Sequence, residues 1–368
     1  MKVGLNATCF NDRPSGAKQR FVGIYSELIK CLPDTEFVIY EPSDCRVGSW
    51  FGEVDNVSVR RTPIPSEGRL QRLMSGFRYW RPALAREKFD FFEDFHLPLI
   101  KSPAGRTLLT IHDIRGINTG VNVFSRAVYQ TAIGRSIRAA DRVITVSETM
   151  KEEILHYFPD TPISVIYNGL DSYGFVSVTE SDMAAVRQKL TLPEEFLLAV
   201  GHFEERKNYS RLIEALSILH DRGQRYSLVI IGNDSGGKTV LEKQIQSLNL
   251  SGYVKILSGL SDLEVRCAYK LCSLFVFPSA YEGFGIPILE AMAAGCPMVL
   301  SDIAVFREIT QNQGIFFPYD DVELMAYEIE NSLTLSVEQE RLVKYGKDRV
   351  KDFSFQNLAT QIASVYKD

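Results

Sequence analysis

The stretch "SAYEGFGIPILEAMAAGCPMVLS", Ser279–Ser301, decides how the chain is read. Pro287 suits the first turn of a helix and Gly295 sits where a helix stops, so the spacing predicts a helix over Ile286–Ala294. Glu290 is the one polar side chain in that helix. A carboxylate in so apolar a setting must be protonated, paired or hydrogen-bonded. The vicinal hydroxyls of a sugar or ribose are good donors to it; a structural pair with a Lys or Arg is the plainer alternative. A second carboxylate, Glu282, stands just before the helix. Its neighbours Gly283 and Gly285 let the backbone approach a ligand. The amides and positive dipole at the helix start suit phosphate. One short element can therefore hold two hydroxyl-rich groups and the phosphates that join them.

Strand-like runs extend from this stretch in both directions. The second half carries "EFLLAVG", "YSLVIIG", "YVKILSG", "SLFVFP", "CPMVLS" and "GIFFP"; the first carries "KVGLNA", "EFVIYE", "VSVRR", "DFFEDF", "TLLTIH", "RVITVS" and "ISVIYN". They are nearly continuous in apolar residues, as strands buried on both faces are. Helical patterns such as Lys18–Cys31 and Ser125–Ala139 alternate with them, which predicts parallel sheets with right-handed crossovers. A polar, Gly- and Ser-containing join near residues 169–195 divides the chain. The expected class is α/β: two Rossmann-like domains with a cleft between them, and ligands at the C-terminal ends of the strands. The domains are expected at 1–170 and 171–352. A last helix, within 353–368, should cross back to the first domain.

Bulk composition narrows the function. At 368 residues the chain is too long for one ordinary core. With 45% hydrophobic and 24% charged residues it reads as globular, and its net charge of -5 argues against nucleic acid as a partner. No apolar run approaches the roughly 20 residues that span a bilayer. The opening "MKVGLNATCF" reads as a first strand rather than a signal peptide. Cys9, Cys31, Cys45, Cys267, Cys272 and Cys296 show no metal-ligand spacing, so reduced thiols and a cytoplasmic location are expected.

Two further stretches bear on phosphate. In "LLAVGHFEERKNYSRLIEAL" a strand ends at Gly201, and Arg206 and Lys207 lie in the loop before a helix, where adjacent cations suit a diphosphate. Asn208 is placed to cap that helix. "GNDSGGKT", Gly232–Thr239, matches the P-loop pattern G-x4-G-K-[ST] between a strand and a helix. A P-loop nucleotidase is therefore a competing reading. Against it, no apolar strand ending in Asp lies nearby for magnesium, and Glu282 and Glu290 would have no purpose. A non-catalytic sugar-nucleotide binding protein fits the same motifs.

The "RKN" after a strand, followed by "PSAYEGFGIPILEAMAAGCPMVLSDI", resembles the family 4 retaining glycosyltransferases of the GT-B fold, whose hallmark is Glu-x7-Glu. In the first half the similarity rests on "TIHDI", "VITVSE", "VIYNGLD" and Gly16, a glycine expected near the end of strand one. One departure is His202, where many members place an arginine after the glycine; Arg206 is the later cation of the "RKN" form. The resemblance implies a hexose transferred from a nucleoside diphosphate sugar, of the UDP-glucose or GDP-mannose type, to a saccharide or lipid-linked saccharide in polysaccharide biosynthesis. It implies Glu290 on the ribose hydroxyls and Glu282 on the donor sugar. Gly16, Gly283, Phe284, Gly285 and Ile286 would bind the donor, and Arg206 and Lys207 would neutralise the leaving diphosphate. His112 would contact the sugar, unless it is only a hydrogen-bonded strand-end histidine. Asp113 and Asn168 fall on the acceptor side, and Asp113 could equally cap a turn. No D-x-D is present, so neither metal nor cofactor is expected.

A basic stretch stands apart. Arg60, Arg61, Arg69, Arg72, Arg78, Arg81, Arg86 and Lys88 face only Glu67 and Glu87. Its core, "RLQRLMSGFRYWRPAL", interleaves aromatics with arginines. It suits an anionic membrane or a phosphate-bearing acceptor, with peripheral contact at the inner membrane face through Arg69–Arg81; the alternative is a solvated helix.

Overall fold

The computed structural model describes residues 1–117, 123–334 and 336–367. They fall into two compact units, Met1–Gly169 with Phe355–Asp368, and Leu170–Ser354. Each unit is built on one parallel sheet. The first holds β1 (Lys2–Asn6), β2 (Glu36–Glu41), β3 (Val57–Arg61), β4 (Phe91–Asp94), β5 (Arg106–Ile111), β6 (Arg142–Thr145) and β7 (Ile163–Val165), in the order β3-β2-β1-β4-β5-β6-β7. The second holds β8 (Leu197–Val200), β9 (Leu228–Ile231), β10 (Val254–Leu257), β11 (Leu274–Phe277), β12 (Met298–Ser301) and β13 (Ile315–Phe317), in the order β10-β9-β8-β11-β12-β13. The strand order reverses between β1 and β4 in one sheet and between β8 and β11 in the other. A crevice opens at such a switch point because the two crossovers leave in opposite directions.

Every strand-like run read from the sequence is a strand, usually trimmed at its ends. "ISVIYN" stops at Val165, since only Ile166 N still reaches Thr145 O beyond it. The central strands are buried on both faces: Leu228–Ile231 and Leu274–Phe277 have no exposed residue. That is the physical basis of their unbroken apolar runs.

In the first unit, α1 (Gly16–Cys31) begins behind Ser15, whose side chain accepts from Lys18 N. Gly16 therefore opens a helix rather than closing strand one, because the chain runs through a loop after Asn6 before it turns. The C-terminal helix Phe355–Val365 packs on α1. A Cβ at Gly23 would stand 2.3 Å from the Phe355 ring, so only glycine admits this approach. Tyr366, at the end of that helix, donates from its hydroxyl to Glu93 Oε2 at 3.0 Å, and Thr110 Oγ1 donates to Oε1 at 2.6 Å. Glu93 is fully buried. Burial pushes its pKa up, and the hydrogen bonds from Thr110 and Tyr366 and the Arg20 charge work against that. The last helix is thus tied to the first unit by an apolar face and by a buried polar contact.

Candidate active site

In the second unit the crevice between β8 and β11 collects the predicted groups. The chain leaves β8 at Gly201, makes one tight turn over Glu205–Lys207, and passes Asn208 at φ 60° into the helix Tyr209–Asp221. Gly201 has φ 147°, and a Cβ there would lie 3.0 Å from Lys207 Nζ, so glycine makes room for the lysine. Asn208 does not cap the helix with its side chain. Its Nδ2 donates to Tyr319 O at 2.6 Å, because its left-handed backbone turns the amide away.

The chain leaves β11 into Pro278–Gly285. Ala280 N donates to Arg206 O at 2.8 Å, and Arg206 Nη1 donates to Tyr281 O at 3.2 Å, which stitches the two loops together. On this frame Glu282 meets both cations. Its Oε1 lies 2.6 Å from Lys207 Nζ and 2.8 Å from Ser279 Oγ; its Oε2 lies 2.8 Å from Arg206 Nη1. Arg206 Nε also pairs with Glu204 Oε2 at 2.7 Å. Burial opposes the charge on Glu282, but Lys207 and Arg206 outweigh it and hold the carboxyl below its ordinary value. Lys207 is buried and lies 5.0 Å from the Phe277 ring centroid, a cation–π contact. Glu282 is therefore an anion at neutral pH. A carboxylate offers about four lone-pair sites, and three are taken among the described residues, which leaves one on Oε2 for a further donor.

Gly285 has φ 113° and caps the helix Ile286–Ala294 at its start, with Pro287 in the first turn. A Cβ on Gly285 would press on Phe306 at 3.0 Å. Phe284 turns inward: it is buried, with its ring 5.9 Å from Phe353. Any part it plays toward a ligand is therefore through its backbone. Glu290 is not paired with a cation among the described residues. Its Oε2 accepts from the Tyr269 hydroxyl at 2.8 Å. Burial raises its pKa, opposed by the Tyr269 hydrogen bond, while Asp262 adds to the rise. Tyr269, on the buried side of the helix Asp262–Leu271, left no signal in the sequence. Ser279 could have been found, since it stands three residues before Glu282 in the same turn.

The P-loop-like segment is differently occupied. Asp234 Oδ1 accepts from Gly236 N at 2.8 Å and Lys238 N at 3.1 Å, so an internal carboxylate takes the amides that a P-loop aims at phosphate. Gly237 N donates to Phe203 O at 3.1 Å, and Lys238 Nζ pairs with Glu242 at 3.8 Å. The sequence match is therefore a closed turn that joins β9 to the next helix.

In the first unit His112 follows β5. Burial and the charge of Arg20 push its pKa down to about 3, so the imidazole is neutral. Asp113 Oδ1 accepts from Arg115 N at 3.3 Å, which is the turn-capping role. Asn168 is buried, and its Oδ1 has no hydrogen-bond partner among the described residues.

Two doubly wound parallel sheets with this crevice have the fold of GT-B glycosyltransferases. The family model described as glycosyl transferases group 1 matches residues 182–349, and that described as glycosyltransferase family 4 matches residues 29–172. The O-antigen chain mannosyltransferase B of Escherichia coli is 28% identical over 71% of this chain and 70% of its own length. The O-antigen chain mannosyltransferase RfbU of Salmonella typhimurium is 28% identical over 73% of this chain and 70% of its own. The solved structure of Anabaena HepE in complex with UDP and glucose superposes with a TM-score of 0.75 at 20% identity, covering 100% of this chain and 99% of that one. The two family matches together span most of the chain, and with these relatives they make it a glycosyltransferase of the family 4 type.

Proposed function

We propose that the protein transfers a hexose from a nucleoside diphosphate sugar to a saccharide or lipid-linked saccharide in polysaccharide biosynthesis, with retention at the anomeric carbon. The observation that carries this is the Glu282–Lys207–Arg206 cluster at the β8/β11 switch point, beside the helix that bears Glu290. Mannosyltransferases among the relatives favour a donor of the GDP-mannose type, and the HepE complex favours UDP-glucose; both are assayed below.

In this reading the acceptor oxygen attacks the anomeric carbon on the face from which the nucleoside diphosphate departs. The bond from that carbon to the phosphate oxygen breaks, the bond to the acceptor oxygen forms, and the acceptor proton passes to the leaving phosphate. Lys207 and Arg206 stabilise the charge that grows on the diphosphate. Glu282 uses its remaining lone pair on a hydroxyl of the sugar. Glu290 accepts from the ribose, and the amides of Gly283–Ile286 receive phosphate. His112, held neutral, can donate to or accept from a sugar hydroxyl. Asn168 and Asp113 stay on the acceptor side, Gly16 on the donor side, and Arg69–Arg81 meets an anionic membrane.

Thermal-shift measurements with UDP, GDP, ADP and TDP test the donor class. A nucleotide at a hundred times its Kd stabilises the native state by about 2.7 kcal/mol. One of the four should raise Tm; no shift with any would overturn the reading.

A further inference from the structure

The helix α2 (Arg69–Arg86) presents an anomaly that the transfer reaction does not use. Trp80 and Leu84 are buried on its inner side, with the Trp80 ring 5.1 Å from Tyr40 and 5.7 Å from Phe92. Its outer side carries Leu70, Leu73, Met74 and Phe77, which are 73%, 49%, 65% and 89% exposed. Their spacing of i, i+3, i+4 and i+7 makes one continuous helical stripe. A contiguous exposed apolar ridge of this kind marks an interaction surface rather than chance. The aromatics that drew notice in the sequence divide: Trp80 belongs to the core, Tyr79 is half-buried beside it, and Phe77 alone stands in solvent.

Charge says what covers the ridge. Arg78 and Arg81 are exposed one turn beyond Met74 and Phe77, and Arg86 and Lys88 follow. The helix contains no acidic residue. A two-fold pairing of α2 with its own copy would set arginine against arginine. Arg72 differs from these: its Nη1 donates to Ser66 O at 3.2 Å, so it serves the fold. The side chain of Arg69 lies outside the described residues. Beside Leu70 and Met74 lies an open hollow of about 580 Å³, also lined by Gly68, Gln71 and Ser75. It is a shallow surface with no deep seat for a rigid partner. The rest of the chain is net acidic, so an anionic sheet would repel it elsewhere and orient it on this helix. Among the described residues no helix is long and apolar enough to cross a membrane.

We propose that the outer face of α2 docks on an anionic lipid bilayer, with Leu70, Leu73, Met74 and Phe77 entering the headgroup layer and Arg78 and Arg81 meeting lipid phosphates. The proposal deepens the lipid-linked form of the acceptor proposed above and rests on it. Insertion adds an apolar, salt-resistant part to what charge alone would give.

The test is flotation of the full chain with phosphatidylcholine vesicles, with and without about one third phosphatidylglycerol. Wild type should float only with the anionic vesicles. Leu70→Ser/Met74→Ser/Phe77→Ser and Arg78→Gln/Arg81→Gln should each lower partitioning by about tenfold, with unchanged circular-dichroism melting. High salt should weaken wild-type binding without abolishing it. Absence of wild-type binding, or binding that both variants retain, overturns the proposal. So does sedimentation equilibrium showing a dimer that the apolar variant dissociates. Nucleotide binding, measured on the same samples, reads the second unit independently. Nucleotide bound without vesicle binding defeats the docking surface alone; vesicles bound without any nucleotide defeat the transferase reading.

Discussion

Lys207 Nζ and Glu282 Oε1 lie 2.6 Å apart, both nearly out of solvent, and Arg206 holds the other oxygen of the same carboxylate. Lys207 and Arg206, the cations proposed to meet the diphosphate, are thus the groups that keep Glu282 ionised.

Removing one partner of this pair should damage the fold as well as the chemistry. Lys207→Ala leaves a buried carboxylate short of its nearest cation, and breaking such pairs costs about 3 kcal/mol or more. Urea unfolding should show a lower midpoint with an unchanged slope. An unaltered midpoint would mean that Arg206 alone suffices for Glu282.

The pH dependence follows from two partly buried histidines. His112 and His96 are both pushed down to about 3 by burial, with Arg20 and Arg72 respectively adding to the effect. Each is neutral in the native state at pH values where the unfolded chain takes up a proton. The stability they contribute is present above pH about 6.5 and is lost as pH falls toward 3. His96→Gln/His112→Gln should flatten this acid limb in a pH series of thermal melts. Between pH 5 and 9, sugar transfer should show no step from His112; a histidine-like step that His112→Gln removes would contradict its neutral state.

Lys238→Ala separates the P-loop-like turn from the active site. The side chain pairs only loosely with Glu242, so stability should change by less than about 0.5 kcal/mol and transfer should persist. Asp234→Ala should lower Tm, because it strips the acceptor from Gly236 N and Lys238 N. Loss of turnover in folded Lys238→Ala would restore phosphate chemistry to this loop.

Transfer should survive chelation, since Lys207 and Arg206 are positioned to take the charge that a divalent ion would otherwise neutralise. Turnover measured in excess EDTA should stay near its starting rate. A loss restored only by Mg²⁺ or Mn²⁺ would contradict this.

The sheet architecture was legible because its strands are buried on both faces. "YSLVIIG" and "SLFVFP" could hardly be anything else between helical patterns. The helix Ile286–Ala294 was legible to the residue, since Pro287 and Gly295 mark both ends. The pairing of Glu282 with Lys207 was not, because it joins loops after two non-consecutive strands, and a linear sequence does not show which strands are neighbours. Tyr269 was missed for the same reason. The inward turn of the Phe284 ring was not legible either, because a motif does not reveal on which side of the backbone a ring lies. Along α2, aromatic content alone could not separate Trp80 in the core from Phe77 in solvent; only the packing of the helix on Tyr40 and Phe92 does.

The most direct test of the account is calorimetric titration of UDP and GDP into wild type, Glu290→Gln and Glu282→Gln. Glu290 is proposed to meet the ribose, and a hydrogen bond to a charged group is worth about 1.5–3 kcal/mol. One nucleotide should therefore bind wild type and bind Glu290→Gln about ten- to a hundredfold more weakly. Glu282→Gln, whose proposed contact is with the sugar, should bind the free nucleotide nearly as wild type does. Equal affinity in wild type and Glu290→Gln, or no binding of either nucleotide to wild type, would contradict a nucleotide-sugar site at the β8/β11 switch point.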